Sequence, residues 1–255
     1  MTSLHGSDLS RSFGAVAADY QAARPTYPQS LFDAIEELSG NPLKGARALD
    51  VGAGTGIATR LLRGRGAEVV AVEPTPGMAA QLHAASPDIP LVRADGHALP
   101  FADGSADLVT YAQAFHWTTP ATSVPEARRV LRPGGALALF WNLKDRTHGW
   151  AGDQQRRIIA ACPQYHGDNA TFTSGADLAA LGMPTRTALL HWSRRIPVDT
   201  AVADLRSRSY VAVLEPGYQA EVLAAERVAL LAAFPDGEVV DEFGLHLTVG
   251  LNRSA

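Results

Sequence analysis

The chain holds a single cysteine, Cys162, in 255 residues, which excludes an internal disulfide framework and any cysteine-based zinc cluster; no metal site is expected. It has no apolar run near the ~18 residues that a membrane span requires. Its opening stretch, MTSLHGSDLSRSFG, lacks the basic start and apolar middle of a signal peptide. The expected location is therefore the cytoplasm, with no membrane partner. An excess of basic residues is also missing. The formal net charge is −4 and the sequence pI about 6.0, which argues against a nucleic-acid backbone as partner. Repeats and low-complexity tracts are absent too. What is present is ample material for a packed core, 46% hydrophobic residues, so a globular protein acting on small molecules is expected.

Short apolar strands alternate with amphipathic helices, the pattern of a parallel sheet with crossover helices. Strands are predicted at Arg47 to Gly52, Glu68 to Pro74, Ile89 to Gly96, Ala106 to Phe115 and Ala136 to Asn142. Helices are predicted at Gly56 to Gly66, Pro76 to Ser86 and about Ser123 to Leu131, the last stopped by Pro133 and two glycines. Beyond Asn142 the pattern predicts a helix at Trp150 to Ala161, a strand at Thr187 to Ile196, helices at Thr200 to Val213 and Gly217 to Phe234, and a last strand near Gly244 to Leu251. The fold class is α/β, a doubly wound sheet. Three segments are expected: 1–44, an N-terminal helical lid; 45–142, the ligand-binding core; and 143–255, a cap with the remaining core elements.

The most informative stretch is ALDVGAGTGIATRLL, Ala48 to Leu62. A glycine-rich turn after a strand commonly receives phosphates, yet Asp50 stands just ahead of it and would repel them. A dinucleotide fingerprint needs a small third residue for close packing of helix on strand, but the register runs Gly52, Gly54 and then a branched Ile57. No Gly-Lys-Ser/Thr of a phosphate-binding loop follows. A ligand with an amine, a sulfonium and a ribose, and no phosphate, suits this chemistry: S-adenosylmethionine. Glu73 stands 23 positions after Asp50, at the end of the next strand, where an acid holds ribose hydroxyls. Asp95, at the end of the third, can accept from an adenine amino group. All three acids fall at strand C-terminal ends, where ligands bind in such sheets.

The chain resembles class I S-adenosylmethionine-dependent methyltransferases from about Phe13 onward. LDVGAGTG, AVEPTPGM, RADGHALPFADGSADLV and EARRVLRPGGALALFWN are similar to the family's successive motifs. FGAVAADYQAARPTYP, QAFHW and RSRSY resemble the trans-aconitate methyltransferase-like branch of small-molecule enzymes. The resemblance implies a Rossmann-like sheet of seven strands, mostly parallel with the last antiparallel, an N-terminal lid helix and a C-terminal helical cap. It also implies that Ala53, Pro74, Met78, Gly96 and His97 line the cofactor and that the Gln113 backbone lies near its methionine end.

Each residue also has a plainer reading. Asp50 can cap the following helix, Gly52 and Gly54 can be turn residues, Glu73 a solvated acid, Asp95 an Asx turn with Gly96, and Met78 helix packing. His116 is the candidate base, its unperturbed pKa lying near ~6.5; the alternative is a buried histidine satisfied by backbone hydrogen bonds. Trp117 is core, or a face for the sulfonium. Tyr20 and Arg24 share a face if 12–23 is helical, and the guanidinium suits the carboxylate of the cofactor or of an acidic substrate; otherwise Arg24 is a surface residue. Acceptor-binding residues are expected among Tyr20, Tyr27, His116, Trp117, Trp141, Asn142, Trp150, His166 and Tyr210, a set suited to a planar or partly apolar acceptor. Three functions remain open: methyl transfer to O, N or C of a small molecule, expected in secondary metabolism; tRNA modification; or a cofactor-binding protein that catalyses another reaction or none.

Overall fold

The computed structural model describes residues 24–144, 146, 148–163, 165 and 175–253. The expected lid helix at 12–23, with Tyr20, and the candidate His166 lie outside them. In chain order the elements are α1 (Gln29–Ser39), β1 (Arg47–Val51), α2 (Ile57–Gly64), β2 (Glu68–Val72), α3 (Pro76–Ala85), β3 (Leu91–Val92), β4 (Ala106–Ala112), a single 3-10 turn (Phe115–Trp117), α4 (Pro120–Val130) and β5 (Leu131–Lys144). After these come α5 (Gly149–Ala161), α6 (Gly175–Ala180), β6 (Thr185–Pro197), α7 (Val198–Arg206), α8 (Ser209–Ala212), α9 (Pro216–Ala233) and β7 (Glu238–Leu251).

The seven strands form one sheet in the order β3-β2-β1-β4-β5-β7-β6. The pairs β1–β2, β2–β3, β1–β4 and β4–β5 are parallel. The last strand is antiparallel, because its end meets the start of β5: Gly134 donates to the Asn252 carbonyl at 2.7 Å and Asn252 donates to that of Gly135 at 2.9 Å. Strand order reverses between β1 and β4, which opens a crevice at their C-terminal ends.

The described chain divides into two compact units whose bounds differ from the three consecutive segments expected. The larger comprises 26–143 with the described parts of 170–192 and 244–255. Its strands are buried on both faces, as successive side chains point to opposite sides. Ala48, Leu108, Ala136, Ala138 and Phe140 pack on one side with Leu31, Phe32 and Ile35 of α1, Leu62 of α2, and Leu245, Leu247 and Val249 of β7. Leu49, Val51, Val109, Tyr111, Leu137, Leu139 and Trp141 pack on the other with Val124, Ala127 and Val130 of α4. Each fully buried large side chain contributes about 1.5–3 kcal/mol. Helix α1, which falls within the expected lid segment, is thus part of the sheet's own core. The smaller unit takes Pro25 and Arg24 with described residues of 144–169 and 193–243. It buries Ile158, Cys162, Leu205, Tyr210, Val211 and Val222 in one cluster and Ile196, Val198, Ala201, Leu230 and Val239 in another.

Three predicted elements are corrected. β3 is only two residues long, because β2 ends at Val72 and the chain turns away at Asp95 and Gly96. β5 begins at Leu131 rather than Ala136, its glycines absorbed into the strand where pairing with β4 shifts between Ala106 and Leu108. The helix predicted from Thr200 to Val213 breaks after Arg206, where the Ser207 hydroxyl donates to the Asp204 carbonyl at 2.7 Å and competes with helix continuation.

Candidate cofactor and acceptor site

The crevice is shaped by two loops that touch. Gly52 follows β1 with φ +69°, and a Cβ built there would lie 2.6 Å from the Ala114 Cβ on the loop after β4. Only glycine allows that approach and that dihedral together. Beside Ala114, Gln113 has φ +52°, the only positive value at a non-glycine among the described residues, and its N–H donates to the Phe140 carbonyl at 2.9 Å. Such a backbone costs about 1–3 kcal/mol and persists only where the surrounding structure holds it. Gly54 has φ +57° and a Cβ there would meet nothing within 4 Å. Its missing side chain leaves open space in front of the turn.

Glu73 is buried, and its carboxylate closes the turn: Oε2 accepts from the Gly54 N–H at 2.8 Å and Oε1 from the Thr75 N–H at 2.8 Å. A carboxylate offers about four lone-pair directions, so two bonds leave room for a diol. Asp95 accepts from the His97 N–H at 2.8 Å and faces His97 Nδ1 at 3.2 Å. The Asx turn foreseen as its plain reading therefore forms, with the side chain still 57% exposed. Ala53 and Met78 are half-buried and Pro74 exposed. Gly96 is buried where an added Cβ would strike the Tyr111 ring, so packing alone accounts for that glycine.

Direct cofactor contact through Asp50 is corrected. Its side chain is fully buried, with Oδ2 accepting from the Thr59 hydroxyl at 2.6 Å and Oδ1 from the Thr110 hydroxyl at 2.8 Å. It ties β1 to α2 and β4 beneath the turn. Thr59 and Thr110 escaped notice in the sequence, although a hydroxyl inside the apolar run ADLVTYA was the available signal. Burial raises the Asp50 pKa to about 6, partly offset by the two threonine hydroxyls, with the Glu73 charge adding to the rise. Because the folded value exceeds the unfolded one, this stabilisation is present below about pH 4 and is lost as pH rises through about 6. Asp50→Asn should therefore gain about 2 kcal/mol on the parent between pH 4 and pH 7, read from urea denaturation curves.

On the expected acceptor side, His116 is half-buried in the 3-10 turn, and its Nδ1 is shut from solvent with no hydrogen-bond partner among the described residues. The satisfied buried histidine is thus not what forms. Burial lowers its pKa below the usual 6.5. Trp117 is 81% exposed, which removes the core reading, and its ring centroid lies 4.8 Å from that of His116. Three other acceptor candidates are corrected to structural roles. Tyr27 is buried edge-on to Phe140 at 5.0 Å; Trp141 is 2% exposed within the core. Asn142 is held between the Thr26 carbonyl at 3.0 Å and the Trp192 indole N–H at 2.9 Å. Trp150 and Tyr210 belong to the smaller unit, where they line a narrow cavity with Lys144, Tyr165, Asp204 and Arg208. In the same unit Arg24 adds its charge to those of Arg208 and Lys144 on the Asp204 carboxylate; burial works to raise that carboxylate's pKa, and the cations outweigh it. Lys144, Asp204 and Arg208 were not foreseen; Asp204 and Arg208 stand four residues apart, but nothing local in the sequence brings Lys144 to them.

Residues 49–139 match a family described as methyltransferase domain. An uncharacterized methyltransferase of Mycobacterium tuberculosis is 37% identical over 232 residues, covering 89% of this chain and 88% of that protein. The chain is a class I methyltransferase. A solved structure from Anaeromyxobacter dehalogenans, which carries the name of a type II methyltransferase, superposes on this methyltransferase with TM-score 0.71 at 25% identity, covering 91% of this chain and 99% of that one. A Haemonchus contortus phosphoethanolamine N-methyltransferase, solved with S-adenosylhomocysteine, shares the fold at TM-score 0.54 and 14% identity; it covers 93% of the methyltransferase described here and 57% of its own chain. Among the described residues, no helix is long and apolar enough to cross a membrane.

Proposed function

We propose that this methyltransferase moves a methyl group from S-adenosylmethionine to O, N or C of a small, planar or partly apolar acceptor, in secondary metabolism. The observation that carries the reading is the pair of carboxylates at the strand ends. Glu73 is locked onto the Gly54 turn with lone pairs to spare for ribose hydroxyls, and Asp95 is open to solvent for an adenine amino group. The turn is walled by acids, which suits a cationic ligand and disfavours pyrophosphate. Bound S-adenosylmethionine supplies an activated methyl carbon on a positively charged sulfur, so the chain's own task is chiefly to align and desolvate.

His116 is the base wherever the acceptor must lose a proton. With Nδ1 shut away, Nε2 is the nitrogen that takes it, and burial keeps the ring neutral and ready at pH 7. A carboxylate or phenolate acceptor needs no such help. The exposed Trp117 offers a flat apolar surface on which an aromatic acceptor stacks. The net charge of −4 weighs against tRNA. Incubation with methyl-labelled cofactor and a panel of phenols, carboxylic acids, amines and tRNA should put label on phenols or other planar small molecules. Label on tRNA, or on nothing across the panel, would overturn the proposal.

A further inference from the structure

His97 joins the two sides of the crevice. Its backbone N–H and its ring Nδ1 both face Asp95 Oδ1, at 2.8 Å and 3.2 Å, which leaves Oδ2 outside these bonds. Its Nε2 faces the Thr119 backbone N–H at 2.9 Å. A backbone amide can only donate, so Nε2 accepts and carries no hydrogen. The ring proton then sits on Nδ1 and is donated to Asp95. Thr119 closes the turn that carries His116 and Trp117 and stands directly before α4. That helix has no side-chain cap of its own, and its first residue, Pro120, has no N–H to offer. Thr118 and Thr122 tie the junction locally through hydroxyl bonds to the Phe115 and Thr119 carbonyls, and the imidazole ties it to the Asp95 side of the crevice.

We infer that His97 is a positioning residue. It orients the Asp95 carboxylate toward the cofactor and fixes the His116–Trp117 turn in register with it, so that order on the cofactor side is passed to the acceptor side. The inference rests on the function proposed above. The ring is 38% exposed, so its removal costs little core packing and a loss of function is not a loss of fold.

The two bonds can be removed separately. In His97→Asn the side-chain amide N–H stands where Nδ1 did and keeps the Asp95 bond, while the Thr119 bond is lost. In His97→Gln the amide oxygen stands where Nε2 did and keeps Thr119, while Asp95 loses its side-chain donor and retains only the backbone N–H of residue 97. Calorimetric titration with S-adenosylhomocysteine and hydrogen exchange of the 115–122 segment are measured on the parent and both variants. The Gln variant should bind about tenfold more weakly with normal exchange of the free protein, and the Asn variant should bind within about twofold of the parent with exchange about tenfold faster. In the parent alone, the ligand should slow exchange of that segment. Equal behaviour of both variants and parent would overturn the inference and leave the proposed function standing. A parent that binds no S-adenosylhomocysteine would overturn both.

Discussion

Replacing Glu73 with alanine should raise the dissociation constant for S-adenosylhomocysteine about a hundredfold in a calorimetric titration. The expected size follows from what the carboxylate does. It accepts from the Gly54 and Thr75 backbone N–H groups at 2.8 Å each, and its remaining lone pairs are offered to the ribose diol. Hydrogen bonds to a charged group contribute about 1.5–3 kcal/mol each. Truncation removes the diol's acceptor and also frees the turn, since the half-buried Gly54 amide loses its partner. The variant should remain folded, because the strands beneath are held by apolar packing on both faces. Unchanged affinity in a folded variant would remove Glu73 from the ribose.

Replacing His116 with alanine should lower turnover about 10²–10⁴-fold for an acceptor that must lose a proton, with cofactor affinity almost unchanged. The pH profile carries the sign. The base works when neutral, and burial lowers its pKa below 6.5, so the parent's acid limb should lie below that value. The variant should lose the limb along with its rate. For an acceptor that is already an anion, the substitution should leave turnover nearly intact. Parallel profiles in parent and variant would assign the proton to another group.

Much of the larger unit was legible because it rests on local pattern. Short apolar strands between amphipathic helices, a turn with three glycines at positive φ, and Glu73 at the end of the second strand all follow from spacing along the chain. Asp50 misled for a physical reason. An acid ahead of a glycine turn looks the same in sequence whether it faces a ligand or buried hydroxyls, and Thr110, sixty residues further along the chain, decides between them. Trp141 misled likewise, since an aromatic in strand ALALFWN meets core or cavity depending on which face it takes; it points with Leu137 and Leu139 into the α4 side. The approach of Lys144 to Asp204 and the Thr119 bond to His97 join residues distant in sequence. Neither composition nor periodicity carries such pairings. His97 itself entered only through a family resemblance, as a cofactor-lining residue, and its second bond emerged from the fold.

The central claim is that the acidic rim of this sheet holds a cationic nucleoside without phosphates. The measurement that tests it most directly is a side-by-side calorimetric titration of the whole chain with S-adenosylhomocysteine and with a nicotinamide dinucleotide at the same concentrations. Saturable heat with the first and none with the second is the predicted outcome. Saturation by the pyrophosphate compound, with no heat from S-adenosylhomocysteine, would contradict it.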